Sequence, residues 1–160
     1  MNMRYYPDPA LRIKSSAIKS IDKYIRRIIR EMKDTMILEE GIGLAANQVG
    51  ITKRIIIVDF LDKKEALINP SIIEYSGEKE KGMEGCLSFP GLQVNIERYK
   101  SLTISYINEN GAEETRELAG LNSIAIQHEI DHLNGKLIID YMPPREKLEY
   151  NLSVNSKELK

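Results

Sequence analysis

The chain holds two histidines and one cysteine, and the histidines bracket a glutamate in His128-Glu129-Ile130-Asp131-His132. Side chains four apart on a helix lie ~40° apart around its axis with Cβ atoms ~5–6 Å apart, so both imidazoles can reach one ion. Glu129 is ~100° further round. It flanks the ion rather than binding it, where a carboxylate can handle the protons of an activated water. A lone histidine on an apolar face is usually just a core residue. Here both histidines of the chain meet the spacing, with Glu129 between them, on a segment whose apolar residues predict burial. Uncompensated imidazoles and a carboxylate would be costly there, because burial strips them of water. The pattern predicts a metal site.

A third protein ligand is needed, and its identity separates families. The extended pattern HExxHxxGxxH holds as far as Gly135 but places Ile138 where a third histidine belongs, so it fails. A downstream carboxylate, Glu146 or Glu149, could serve if Pro143 and Pro144 turned the chain back. Upstream, Cys86 lies in Glu84-Gly85-Cys86-Leu87-Ser88. A free cysteine is most often a small buried hydrophobe; as a thiolate it completes a Cys-His-His set with the fourth position open for water. The residues alone leave this choice open.

These groups need elements to position them. Leu121 to Asn134 reads as a helix: Leu121, Ile124, Ala125 and His132 share the His128 face, and Ile126, Ile130 and Leu133 the opposite one. A helix apolar on both faces is expected to be buried on both, and Gly135 fits its C-terminal stop. Ile21, Ile25, Ile28, Ile29, Met32 and Met36 predict an amphipathic helix over Asp22 to Leu38, with Ser20 or Asp22 as N-cap. Strands are expected at Arg54–Phe60, Glu65–Asn69, Ser71–Tyr75, Leu92–Tyr99, Leu102–Ile107 and Glu113–Leu118, the last pair joined at Glu109-Asn110-Gly111. The polar stretch Gly77–Gly82 reads as a loop. A short helix is expected from the proline pair, fraying at about 153–160. Gly41-x-Gly43-x-x-Ala46 matches a dinucleotide fingerprint, but it follows a helix and leaves no room for a crossover, so that reading is rejected. The expectation is one α+β domain over residues 1–160.

Composition sets bounds on function. At 160 residues and a net charge of -1, the chain suits one domain with a real core and gives no general pull toward nucleic acid or a membrane surface. The start lacks the apolar run of a signal peptide, and one cysteine cannot form an internal disulfide; both point to a reducing cytoplasm.

Three segments together resemble the peptide deformylases: Gly41-Ile42-Gly43-Leu44-Ala45-Ala46-Asn47-Gln48-Val49-Gly50, Glu84-Gly85-Cys86-Leu87-Ser88-Phe89-Pro90 and Gln127-His128-Glu129-Ile130-Asp131-His132-Leu133-Asn134-Gly135. Tyr6-Pro7-Asp8-Pro9-Ala10-Leu11-Arg12 adds to the likeness, which spans nearly the whole chain. The resemblance implies antiparallel β-sheets packed around a central buried helix that carries HExxH. It implies removal of the formyl group from the N-terminal formyl-methionine of new proteins. It also implies metal ligands Cys86, His128 and His132, Glu129 as acid/base, and oxyanion donors in the Gln48 side chain and the Leu87 backbone N–H. The metal it implies is Fe2+, one per chain, with Zn2+, Ni2+ or Co2+ able to substitute. N-formylmethionyl nascent peptides are the implied partner. Members with a longer terminal helix are associated with the ribosome, whereas Leu148, Leu152 and Val154 give a short stripe here.

Given that chemistry, Leu121, Ile124 and Ala125 are the expected walls of a slot for an unbranched methionine side chain, with Ile42 opposite. Gly43 and Gly85 would let an extended substrate backbone approach closely. The competing expectation is a small HExxH zinc endopeptidase with a downstream carboxylate ligand. A third is a non-enzymatic peptide binder, which predicts damaged motifs that the chain does not show.

Overall fold

The computed structural model describes residues 1–60 and 63–158. Helix α1 (Lys23–Leu38) starts where the Asp22 carboxylate accepts the Ile25 N–H at 2.9 Å. Its buried residues Ile25, Ile28, Ile29, Met32 and Met36 recur at three- and four-residue steps, one face turned to the sheet. The sheet has five antiparallel strands in chain order: β1 (Gly43–Ala45), β2 (Ile55–Phe60), β3 (Lys63–Cys86), β4 (Phe89–Ile107) and β5 (Glu113–Ala119). Alternation along β2 splits its faces. Ile55 and Ile57 join the cluster with α1, while Ile56 and Val58 join Ile126, Ile130 and Leu133 of α2 (Leu121–Leu133). A third cluster forms where Leu11 and Leu137, Ile138 and Ile139 close over Phe89, Val94 and Ile96 of β4.

Three expectations need correction. Gly77–Gly82 is part of β3 rather than a loop: Lys79, Lys81 and Gly82 pair with Tyr99, Glu97 and Ile96 of β4. Both faces of this arm are exposed, so its polarity reflects solvent, and ladder hydrogen bonds rather than burial hold it. A bulge between Ser76 and Lys79 marks the irregularity. Leu92–Tyr99 and Leu102–Ile107 likewise form one continuous β4, and Glu65–Asn69 and Ser71–Tyr75 both lie within β3. Second, α2 is buried on one side and not on both. Ile126 and Leu133 are sealed, but Leu121 is 78% exposed, and Ile124 and Ala125 are only partly covered, because they line a cavity. Third, α3 (Pro144–Glu158) starts at the proline pair as expected but is not short, and remains helical past residue 153.

Candidate active site

Three elements deliver the chemical groups. Cys86 is the last residue of β3 and pairs with Phe89 across the two-residue turn Leu87–Ser88, which also carries the Leu87 backbone N–H. The 3-10 turn Ala46–Val49 follows β1 and carries Gln48. Helix α2 presents His128, Glu129 and His132 from one side. Gln48 and His128 are each held in place by hydrogen bonds. The Gln48 Oε1 accepts the Ala45 N–H at 2.9 Å, so its Nε2 is aimed at Cys86 Sγ (3.5 Å) and Ser88 Oγ (3.1 Å). His128 Nδ1 lies 3.0 Å from Glu84 Oε1, which leaves Nε2 pointing inward.

The donor atoms of Cys86, His128 and His132 all lie within 4.8 Å of one another, and Cys86 Sγ is 3.3 Å from His132 Nε2. A tetrahedral metal at ~2.3 Å from sulfur and ~2.0–2.1 Å from nitrogen would hold such atoms roughly 3.3–3.6 Å apart. The set therefore fits a metal with a small closure at His128. Buried Glu129 stands alongside, its Oε1 4.0 Å from His128 Nε2 and its Oε2 without a hydrogen-bond partner among the described residues. Glu146 and Glu149 are surface residues of α3, Glu149 paired with Arg145 at 3.2 Å. They do not join the cluster.

Burial and neighbours shape the charges. Burial pushes the Glu129 carboxyl up to about 7, against the opposing pull of His128. Burial also holds His132 well below the usual imidazole range. At His128 burial again opposes charge, but the hydrogen bonds with Cys86 and Glu84 outweigh it and bring the ring to about 10. A metal therefore competes with a proton at this position. Burial would raise Glu84, yet its bonds to His128 and Arg98 hold it below the usual carboxylate range.

The groups open onto a cavity of about 760 Å³. Ile42, Gly43, Gln48, Gly85, Cys86, Leu87, Leu121, Ile124, Ala125, His128 and Glu129 all line it, while His132 is sealed behind. The reason for Gly43 is different from the expected one: a Cβ there would fall 2.7 Å from Glu129 Oε1, so the glycine makes room for the Glu129 carboxylate. At Gly85 the nearest atom to such a Cβ is Leu92 O at 3.6 Å, so crowding within the protein does not require a glycine. Sequence reasoning missed Arg98, which is 5% exposed and forks onto Glu84 at 2.8 and 2.9 Å. The signal was there: Val94, Ile96 and Arg98 follow the alternation of β4, so Arg98 points inward with them.

Fold and site define a metal-dependent hydrolase of the HExxH class. A family model described as polypeptide deformylase matches residues 1–148. The chain belongs to the peptide deformylase family, metal-dependent hydrolases that remove the N-terminal formyl group from newly synthesised proteins. A peptide deformylase from Natranaerobius thermophilus is 46% identical over 139 residues, 86% of this chain and 89% of that protein. The structure of a peptide deformylase from Ehrlichia chaffeensis in complex with actinonin matches with a TM-score of 0.93 at 33% identity, covering 100% of this chain and 98% of that one. One from Synechococcus elongatus, also with actinonin, gives 0.88 at 41% identity over 95% of this chain and 84% of that one.

Proposed function

We propose that residues 1–160 act as one domain that deformylates N-formylmethionyl nascent peptides, with the metal held by Cys86, His128 and His132. The observation that carries this reading is the three donor atoms within 4.8 Å of one another, with the unpartnered Oε2 of Glu129 beside them. Bound there, a divalent ion supplies Lewis-acid polarisation of the formyl carbonyl and lowers the pKa of a water. Glu129 accepts the proton of the attacking water and passes it to the departing amine. Gln48 Nε2 and the Leu87 N–H donate to the oxygen that gains charge in the transition state. Held by Ala45 before reaction, Gln48 needs no reorganisation to do so. Ile42, Leu121, Ile124 and Ala125 take the methionine side chain, and the cavity walls at Gly43 and Gly85 take the extended backbone.

The working metal is assigned as iron(II). The donors suit zinc at least as well, and by intrinsic affinity zinc outcompetes iron; the assignment rests on the family resemblance and on iron expanding its coordination more readily. The partner assigned is the nascent chain. Leu148 and Leu152 are exposed on α3 one turn apart, a narrow apolar stripe for a ribosome surface. Among the described residues no helix is long and apolar enough to cross a membrane; a cytoplasmic location is part of the proposal.

The test is formate release from formyl-Met peptides set against casein cleavage on one metal-loaded sample. Formate release blocked by actinonin, with casein intact, is expected; the reverse pattern overturns the assignment. Cys86→Ala should lose most of its metal. A variant that kept a full equivalent and native turnover would remove Cys86 from the site. Iron protein prepared without air should outperform zinc protein and decay in air; equal rates with no decay would reassign the metal alone.

A further inference from the structure

A chain of hydrogen bonds leads away from His128 to a residue outside the cavity. Glu84 Oε1 meets His128 Nδ1 at 3.0 Å, and the fork of Arg98 grips both Glu84 oxygens at 2.8 and 2.9 Å. The remaining Arg98 nitrogen, Nη1, donates to Asp131 Oδ2 at 2.7 Å and to Tyr141 Oη at 3.0 Å. The Tyr141 hydroxyl in turn donates to the same Asp131 Oδ2 at 2.5 Å. Tyr141 ends the 3-10 turn Ile138–Tyr141, beyond α2, and does not line the cavity.

We propose that Tyr141 is a positioning residue for the metal site, acting through Arg98 and Glu84 to hold the His128 ring in its ligating orientation. The physical reason is how the guanidinium is shared. Two carboxylates compete for one buried cation, and the planar fork can satisfy Glu84 with two bonds only while Nη1 is fixed elsewhere. Tyr141 fixes it twice, by accepting from Nη1 and by donating to the Asp131 oxygen that Nη1 also uses. Without the hydroxyl, Asp131 Oδ2 loses a donor and draws harder on Arg98. Glu84 is then held less firmly, and with it the imidazole. A carboxylate that orients a ligating histidine contributes roughly 10–100-fold to metal affinity. A bare structural ion cluster has no such connection, and apolar residues often replace one at little cost.

The inference rests on the metal-site reading above, and the experiment separates the two. Zinc-loaded Tyr141→Phe protein is challenged with excess chelator and its release rate compared with that of the native chain. The substitution keeps the ring that lies 4.8 Å from the Arg98 guanidinium carbon and 4.3 Å from Lys136 Nζ. Release is expected to be roughly 3–10-fold faster, a fraction of the direct effect of an orienting carboxylate. Tm should be unchanged, and kcat for deformylation should fall while KM holds. Native release from Tyr141→Phe overturns the relay. Equal acceleration by Lys136→Ala, which leaves the hydroxyl in place, also overturns it, since packing on the ring would then be the cause. A native chain that retained no equivalent of zinc would overturn the metal-site reading itself.

Discussion

Helices α1 and α2 lie on opposite faces of the same sheet and are built by opposite rules. α1 buries Ile25, Ile28, Ile29, Met32 and Met36 on one stripe and gives its other side to water. α2 buries Ser123, Gln127, Glu129 and His132 among its isoleucines, and leaves Leu121 largely in the open. Each buried polar group on α2 outside the metal set is either paired or placed to react. Gln127 Nε2 donates to the Tyr99 carbonyl at 2.9 Å and Ser123 Oγ to the same carbonyl at 2.8 Å, anchoring the helix to β4. Apolar burial thus makes α1 a support, whereas α2 combines anchorage with the groups proposed to react. Changes in α1 should cost stability and leave the rate per folded molecule alone; changes at the reactive positions of α2 should do the opposite.

The largest expected departure is Glu129→Ala. It should keep its metal and lose roughly 10²–10⁴-fold in kcat, the usual worth of a general acid–base group. In the native chain the carboxylate must be ionised to take a proton, and burial, against the opposing pull of His128, sets it at about 7. Turnover should therefore fall on the acid side, with a midpoint at or below that value, since a neighbouring cation favours the ionised form. The limb should vanish in Glu129→Ala; its persistence would assign the proton to another group. Next comes Met32→Ala in α1, where the side chain is fully buried. About 2–5 kcal/mol of stability should be lost, as for other buried Met deletions, with kcat per folded molecule unchanged. Denaturant melts alongside active-site titration would check this, and a lowered kcat would blur the division between the helices. Ala125→Phe narrows the cavity from α2. Formyl-Met peptides should lose about tenfold in kcat/KM relative to formyl-Ala peptides, roughly 1.4 kcal/mol of differential binding. Equal losses would move the methionine seat elsewhere. Smallest is Asp22→Ala at the start of α1, worth ~1 kcal/mol in stability as an N-cap.

This contrast also explains what the sequence disclosed. α1 was legible because burial alone selects its residues, and Asp22 marks its start. The HExxH spacing and the Gln48 and Cys86 segments were legible because chemistry restricts residue types. The two-sided burial of α2 was misread, since an apolar side chain facing a cavity looks the same in sequence as one facing a core. Gly77–Gly82 was misread because a ladder exposed on both faces has a loop's composition. Arg98 was overlooked because a charged residue suggests solvent, although its place in the alternation of β4 points inward. Its partners, Glu84 and Asp131, come from segments far apart in sequence, so no local pattern pairs them.

The opening residues of the chain are fastened to its closing ones. Tyr6 donates to Asn151, 145 residues away, Arg12 forks onto Asp140, and the Ser15 N–H reaches the Leu133 carbonyl. Gly135 permits this crossing, since a Cβ there would stand 2.6 Å from the Arg12 carbonyl oxygen. Loop closure over such separations is slow, and folding rates fall as contacts become more distant in sequence. During synthesis Arg4 and Tyr6 can meet the Gln48 and Ser88 carbonyls early, but the clasp made by Tyr6, Arg12 and Ser15 is completed only once the last third has emerged. The clasp over residues 6–15 is thus among the last parts of the fold to close.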